Sequence, residues 1–303
     1  MSPEPDQQPP TVLNDREYFS YSWSTLPWSP WVPFTATKEE FRQIPREPGL
    51  YRIKPVGKDF LMYVGETRRT VHDRLNELRQ TLKRTDLMPW NDPITEAPAL
   101  WTWQEAEGFD YECSAAPLDA SISGRRGMES FLLYRYRQEY GASTLCNFGR
   151  FHPRYRKSTN RKENKRGGKL AENHLDNPAG GGSISPLPVI GTPGDQDWMG
   201  LAWSGKKPLD GETIGTVPPV AGLYLLFEHD TRDLVYIGQS EDCAQRLRNH
   251  AMKFLDEKDL LFSYYFEEKP LLPHNLKEWE NDLIGNYFEV YRKAPKFQFG
   301  NNK

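Results

Sequence analysis

The sequence predicts an α/β (α+β) fold of two small domains, each a three-stranded antiparallel sheet flanked by helices, joined as a tandem repeat. Residues 61–78, LMYVGETRRTVHDRLNEL, and residues 234–250, LVYIGQSEDCAQRLRNH, share an apolar pair, a Tyr-x-Gly and a later Arg-Leu. Related residues also keep a constant offset of 173, namely Tyr51, Tyr63 and Gly65 against Tyr224, Tyr236 and Gly238. The length of 303 residues suffices for two compact domains with linkers.

Each copy opens with a predicted β-hairpin. Its strands are the short β-type runs GLYRI and LMYV in the first copy and GLYLLF and LVYI in the second. The turn between them contains Gly57 in one copy and residues 230–233 in the other. A third strand is predicted at FDYECSA and at LFSYYFEE. These three strands account for one sheet in each copy.

Helical spacing follows each Tyr-x-Gly and returns at the end of each copy. In the first copy, the apolar residues with this spacing are Val71, Leu75 and Leu78, followed by Met128, Leu132 and Tyr136. In the second copy, they are Ala244, Leu247 and Ala251, followed by Leu276, Leu283 and Tyr287. Between its two helices the first copy carries about 21 extra residues, around LMPWNDPITEAPALW. The repeat therefore predicts two helices per copy and one insertion.

Composition divides the chain into four parts. These are an N-terminal extension (1–27), a first domain (28–149), a basic arm with a Gly/Pro-rich linker (150–202) and a second domain (203–303). Residues 150–169 hold nine Lys or Arg and one acidic residue, and nine of the eighteen residues 177–194 are Gly or Pro. The second stretch predicts an unstructured connector. The Trp-rich residues 18–34 are expected to wrap over the first domain.

Bulk properties exclude several classes of protein. The formal charge of −3 gives no general attraction to nucleic acid, so such binding must come from local clusters of charge. The three cysteines are far apart and fit neither a disulfide framework nor a zinc cluster. No stretch approaches the roughly 18 apolar residues of a membrane span. We therefore expect a cytoplasmic protein with no membrane partner.

The motif pairs Gly49-Leu50-Tyr51 with Tyr63-Val64-Gly65, and Gly222-Leu223-Tyr224 with Tyr236-Ile237-Gly238, resemble those of the GIY-YIG nuclease family. The second copy also has the family's Arg, His and Glu, as Arg246, His250 and Glu280, with Gln298 in place of a late Asn. The first copy has Arg74, Glu129 and Asn147. However, its Arg lies eleven rather than ten residues after the second Tyr, and Leu78 stands in place of the His.

The resemblance implies phosphodiester hydrolysis with equivalent residues in the two copies. Tyr51 and Tyr224 would activate water, Tyr63 and Tyr236 would orient water or phosphate, Arg74 and Arg246 would clamp the phosphate, and Glu129 and Glu280 would each hold one Mg²⁺ (or Mn²⁺). A phenol titrates near pH 10, so a tyrosine base needs a nearby Arg or metal ion. Each Glu shares a helix face with apolar residues, where an unpaired carboxylate is costly.

The basic segment predicts contacts with DNA phosphates, which would make binding sensitive to salt. Its candidate residues are Arg150, Arg154, Arg156, Lys157, Arg161, Lys162, Lys165 and Arg166. The segment interleaves aromatic residues with these charges and starts directly after Asn147. A solvated, disordered tail is the alternative interpretation.

These observations together predict a metal-dependent DNA endonuclease, such as one of restriction or phage defence. It would act on duplex DNA as a monomer with internal pseudo-symmetry or as a homodimer. The alternatives are a nucleic-acid-binding protein with one or both centres inactive, and a pair of repeats that bind a protein partner. If one centre has lapsed, we expect the first, because Arg74 is displaced by one residue and Leu78 cannot donate to phosphate.

Overall fold

Two antiparallel sheets, each enclosed by helices, form the framework of the chain. The structure is a computed structural model that describes residues 16–83, 96–156, 167–172, 177–253 and 259–300. The elements of the first half are β1 (Val32–Pro33), β2 (Gly49–Pro55), β3 (Tyr63–Thr67), α1 (Val71–Leu82), α2 (Ala97–Glu107), β4 (Tyr111–Pro117) and α3 (Ile122–Tyr140). A short ribbon of β5 (Tyr155–Arg156) and β6 (Gly168–Lys169) follows.

The second half has a matching order of elements. They are β7 (Lys207–Pro208), α4 (Gly211–Ile214), β8 (Gly222–Glu228), β9 (Leu234–Ser240), α5 (Cys243–Lys253), β10 (Leu260–Tyr265) and α6 (Pro273–Tyr291). The strand orders are β1-β4-β2-β3 and β7-β10-β8-β9. The predicted mixed α/β class, hairpins and helices are confirmed. None of the helices in the described ranges combines the length and apolar composition that a membrane span requires.

Each sheet has four strands rather than the predicted three. The additional strands, β1 and β7, contain two residues each and pair with the outer edges of β4 and β10. Each includes a proline, which cannot donate to a sheet and is tolerated only at an edge. Because two residues show no alternation of polar and apolar side chains, the periodicity of the sequence gave no sign of them.

Both halves begin upstream of the predicted boundaries at 28 and 203. The indole Nε1 of Trp28 donates to the carbonyl of Trp23 (3.0 Å), and that of Trp203 donates to the carbonyl of Trp198 (3.1 Å). All four indoles are buried. The same bond recurs at equivalent positions, so the Trp-rich start is part of each folded half, and part of the predicted extension 1–27 belongs to the first.

The Gly/Pro-rich segment is packed, which corrects the prediction of an unstructured connector. Leu187 is buried in the core of the second half. Its backbone N–H donates to Asp282 (3.1 Å), and that of Ile184 donates to Glu278 (2.9 Å). Proline and glycine favour extended backbone without strands or helices, but the buried carboxylates of α6 satisfy the segment's N–H groups and hold it in place.

The two halves meet where α3 and α6 cross as antiparallel neighbours. At the centre, equivalent residues touch each other. A Cβ atom at Gly285 would lie 2.2 Å from the Cβ atom of Tyr134, and Asn281 donates to the carbonyl of Ser130 (3.1 Å). Both pairs are separated by the repeat offset of 151. Contacts between equivalent residues place an approximate two-fold axis between the helices.

The two sides of this axis differ in chemistry. On one side Phe131 packs against Phe288, with ring centroids 5.8 Å apart. The equivalent residues on the other side are Asp282 and Arg137, which form a buried ion pair with contacts of 2.7 and 3.0 Å. The helix pair is therefore symmetrical in geometry and asymmetric in charge.

Candidate active site

Two clusters of predicted site residues lie at equivalent places in the halves. We call the first cluster Tyr51, Tyr63, Arg74 and Glu129, and the second cluster Tyr224, Tyr236, Arg246, His250 and Glu280. In the sheets Tyr51 is paired with Gly65, and Tyr224 with Gly238. The two rings of each cluster stack with centroids 5.9 Å apart. Each motif therefore brings two phenols together on neighbouring strands.

The side-chain amides of Asn147 and Gln298, which were predicted to be catalytic, bind the backbone of β3 and β9. Asn147 accepts a hydrogen bond from the N–H of Val64 (3.0 Å) and donates to its carbonyl (2.8 Å). Gln298 makes the same pair of bonds with Ile237, each 3.0 Å long. Both side chains are buried, and both polar atoms of each amide serve the middle residue of Tyr-x-Gly. The structure thus places Asn147 and Gln298 as positioning residues.

In the second cluster a histidine faces the buried tyrosine. The hydroxyl of Tyr224 lies 2.9 Å from Nε2 of His250. Burial lowers the pKa of His250 to about 4, and the charges of Arg246 and Lys253 act in the same direction. The imidazole is therefore neutral near pH 7 and can accept the phenolic proton in a hydrogen bond. Burial also holds the pKa of Tyr224 well above its ordinary value.

Glu280 supplies the carboxylate of the second cluster. It is half-buried on α6 and accepts a hydrogen bond from the backbone N–H of Gln239 (3.1 Å), its one hydrogen-bond donor within the described ranges. Burial raises the pKa of Glu280 to about 7. Burial raises the pKa of Tyr236, and the negative charge of Glu280 raises it further, because these two groups are close.

Arg246 is the exposed member of the second cluster. Its charge acts to lower the pKa of Tyr224, Tyr236 and Glu280, although burial outweighs it at each. Among the residues that the structure describes, no acidic side chain forms an ion pair with Arg246. Its guanidinium therefore lies near both phenols and the carboxylate while it remains open to an anion.

The first cluster contains an additional acid, Glu96, which the sequence did not suggest as a site residue. The Tyr51 hydroxyl donates to Glu96 Oε1 (2.5 Å), and Arg74 Nη2 donates to Glu96 Oε2 (2.9 Å). Arg74 Nε also donates to the Tyr51 hydroxyl (3.2 Å). Burial, followed by the charge of Glu96, raises the pKa of Tyr51 well above its ordinary value. Leu78 is buried at the place equivalent to His250.

Three acidic side chains, Glu66, Glu96 and Glu129, lie around the first cluster. Burial, Glu66 and Glu96, in that order, raise the pKa of half-buried Glu129 to about 8. Glu66 occupies the position of Gln239 in the second half and pairs with two arginines of α3. Glu96 is 45 residues from Tyr51 in sequence, and the one available sign of it was the insertion that contains it.

Both clusters match a cation held by one protein carboxylate. In the described ranges no group of three or more His, Cys, Asp or Glu side chains has the arrangement of a metal site. Mg²⁺ is bound well by one carboxylate together with water and substrate oxygens, so it does not need such a group. The raised pKa values of Glu129 and Glu280 indicate carboxylates that would gain from a nearby cation.

The basic segment differs from its prediction at its beginning. Arg150 donates to the carbonyls of Ser143 (3.0 Å) and Thr144 (3.2 Å), and burial lowers its pKa. This corrects its assignment as a DNA contact, because the guanidinium is used inside the fold. Arg154 is exposed but pairs with Glu107 (2.9 Å).

Two aromatic residues of the basic segment, Phe151 and Tyr155, are buried in the core of the first half. Arg156 is exposed. The other candidates, Lys157, Arg161, Lys162, Lys165 and Arg166, lie outside the described residues. The chain matches no protein-family model and no curated protein, so a functional conclusion depends on the geometry of the two clusters.

Proposed function

We propose that this chain is a metal-dependent endonuclease of the GIY-YIG kind, which hydrolyses phosphodiester bonds in DNA, and that the second cluster is its active site. The observation that carries this proposal is the combination of stacked phenols, a neutral imidazole, an exposed guanidinium and a half-buried carboxylate in one place. Phosphodiester hydrolysis needs an oriented water, positive charge for the phosphorane-like transition state and stabilisation of the leaving oxygen.

Arg246 would bind the scissile phosphate. A guanidinium presents parallel N–H donors that match two phosphate oxygens, which an ammonium group cannot do equally well. Its exposure leaves these donors accessible, and its position beside the two phenols would bring phosphorus close to the attacking water.

Tyr224 would orient and deprotonate that water with the help of His250. When Nε2 of neutral His250 accepts the proton of Tyr224, the phenol oxygen can in turn accept a hydrogen bond from water. The raised pKa of Tyr224 and the low pKa of His250 disfavour a free phenolate. We therefore place both proton movements, from water to Tyr224 and from Tyr224 to His250, in one concerted relay during attack on phosphorus.

Glu280 would hold the Mg²⁺ or Mn²⁺ ion. When bound, the ion would supply positive charge next to the phosphate and stabilise the leaving oxygen. Gln239 holds one oxygen of the carboxylate, which fixes the side chain and leaves the other oxygen for a cation. The choice of DNA as the polymer rests on the family resemblance, and the basic segment supports a polyanionic substrate.

Cleavage of supercoiled plasmid tests this function. We expect the purified chain to cut the plasmid with Mg²⁺ and to stop in excess EDTA. Glu280→Gln should slow cutting by about 100-fold or more, since a neutral amide is a poor cation ligand and a transition-state contact is lost. Glu289→Gln is a matched control on the same helix, because Glu289 bonds to Tyr134 and Arg135 instead. Undiminished cutting in EDTA would contradict the proposal.

A further inference from the structure

We infer that Glu96 occupies, in the first cluster, the place at which the second cluster binds a phosphate, so that the chain cleaves DNA at the second cluster alone. This inference rests on the proposed function for its consequence in cleavage. Its structural content, that Arg74 is paired with a buried carboxylate and Arg246 has no acidic ion-pair partner among the described residues, stands apart from any reaction.

The contacts of Glu96 are those expected of a bound anion. Its two oxygens are used separately, one by the Tyr51 hydroxyl (2.5 Å) and one by Arg74 (2.9 Å). A carboxylate and a phosphate present similar oxygen pairs to a guanidinium. The Glu96 side chain is fully buried, and that of Arg74 is 18% exposed. A phosphate could take the place of these oxygens, at Arg74 Nη2 and the Tyr51 hydroxyl, only by displacing Glu96.

The position of Glu96 is fixed by the insertion. Glu96 directly precedes α2, a helix of the first half that has no equivalent between α5 and β10 among the described residues of the second half. Ala97 and Leu100 of this helix are completely buried in the core of the first half. This packing holds the backbone at Glu96, so the carboxylate is kept within reach of Arg74.

The charged residues around the two clusters also differ. Glu66 and Glu129 lie at the first cluster in addition to Glu96, and the charges of Glu66 and Glu96 raise the pKa of Glu129. At the equivalent positions of the second half, Gln239 replaces Glu66 and no counterpart of Glu96 exists in the described chain. A phosphate would therefore meet an arginine that is already paired with a buried carboxylate at the first cluster, and at the second an arginine with no acidic ion-pair partner among the described residues.

Chemical modification of the full-length protein tests the accessibility of the two arginines. Phenylglyoxal modifies accessible guanidinium groups, peptide mass spectrometry locates them, and inorganic phosphate serves as the competing anion. In the wild-type protein we expect Arg246 to react and to be protected by phosphate, whereas Arg74 should not react. In Glu96→Ala, Arg74 should become reactive and phosphate-protected. Modification of wild-type Arg74 at the rate of Arg246, with protection by phosphate, would overturn the inference whether or not the variant folds.

The cleavage assay tests the consequence. If the first cluster is closed, Glu280→Gln should lose nicking as well as linearisation, by about 100-fold or more. If the first cluster works, the same variant should still convert supercoiled plasmid into nicked circles, and the inference is wrong. A wild-type protein that cuts no DNA with Mg²⁺ would refute the proposed function instead, and the arginine modification would still decide the status of Glu96.

Discussion

At Gly238 the space that a side chain would need is already filled by tyrosine. A Cβ atom there would lie 2.4 Å from Cζ of Tyr224 and 2.7 Å from a ring carbon of Tyr236. The same crowding occurs at Gly65 beneath Tyr51 and its partner ring. The glycine of each Tyr-x-Gly is thus needed because two phenols pass over the strand, and not because the backbone requires a positive φ.

The ionisation of Glu280 should control metal binding. Because a carboxylate must lose its proton to bind Mg²⁺, we expect the Mg²⁺ affinity to fall by up to about tenfold per pH unit below the pKa of about 7. Isothermal titration calorimetry at several pH values measures this dependence. The component that disappears in Glu280→Gln belongs to the second cluster. An affinity independent of pH from about 5 to about 8 would contradict the expectation.

The raised pKa of Glu280 affects the stability of the metal-free protein in the opposite direction: this contribution to stability falls as pH rises, whereas the Mg²⁺ affinity increases. The pKa of Glu280 in the folded chain is above its ordinary value of 4.5, so the folded state binds more protons than the unfolded state between about pH 4.5 and 7. Glu280 therefore favours the folded state at the acidic end of this window, and its contribution is lost as pH rises through about 7.

The strands β3 and β9 are held by hydrogen bonds to the side-chain amides of Asn147 and Gln298. Gln298→Ala removes two hydrogen bonds to Ile237 and leaves a buried N–H and carbonyl without these partners. We expect a loss of about 1–3 kcal/mol in the free energy of unfolding, measured with urea. Gln245→Ala, at an exposed glutamine of α5, is the control and should change it by less than about 0.5 kcal/mol. Equal effects would show that the backbone contacts of Gln298 contribute no stability.

The elements that could be predicted are those with a local pattern. The hairpin strands alternate or are continuously apolar, and α1, α3, α5 and α6 have helical spacing, so each was expected from its own residues. The strands β1 and β7 are too short for a pattern. The packed connector depends on Glu278 and Asp282 of a distant helix, and no local signal reports such a contact.

The site was predictable to a similar extent. The stacked tyrosines, Arg246, His250 and Glu280 were expected from motif spacing, and the structure brings them together. Glu96 was not expected, because it precedes α2, for which the described part of the second copy has no equivalent. A repeat reveals what the two copies share, and it gives no position for a residue that only one copy has.

On the scale of the whole molecule, the halves are joined by a buried ion pair. Asp282→Asn should lower the free energy of unfolding by about 1.5–3 kcal/mol, because buried Arg137 would lose two charged hydrogen bonds and keep Glu278, at 3.5 Å, as its counter-charge. Glu77→Gln is the control, since its pair with Arg69 is about half exposed and should be worth at most about 1 kcal/mol. Urea unfolding measures both. Similar losses would mean that the interface does not depend on this charge.

The asymmetric helix pair also bears on how the two halves could diverge. In a dimer of identical subunits every substitution occurs twice, so two second halves would place buried Asp282 opposite Phe288 on both sides of the axis. Within one chain, Asp282 meets Arg137 once and Phe131 meets Phe288 once. Fusion of the repeats therefore allows either half to mutate without changing the other. Such independent change permits one arginine, Arg74, to be paired with an acid that the other cluster does not have among its described residues.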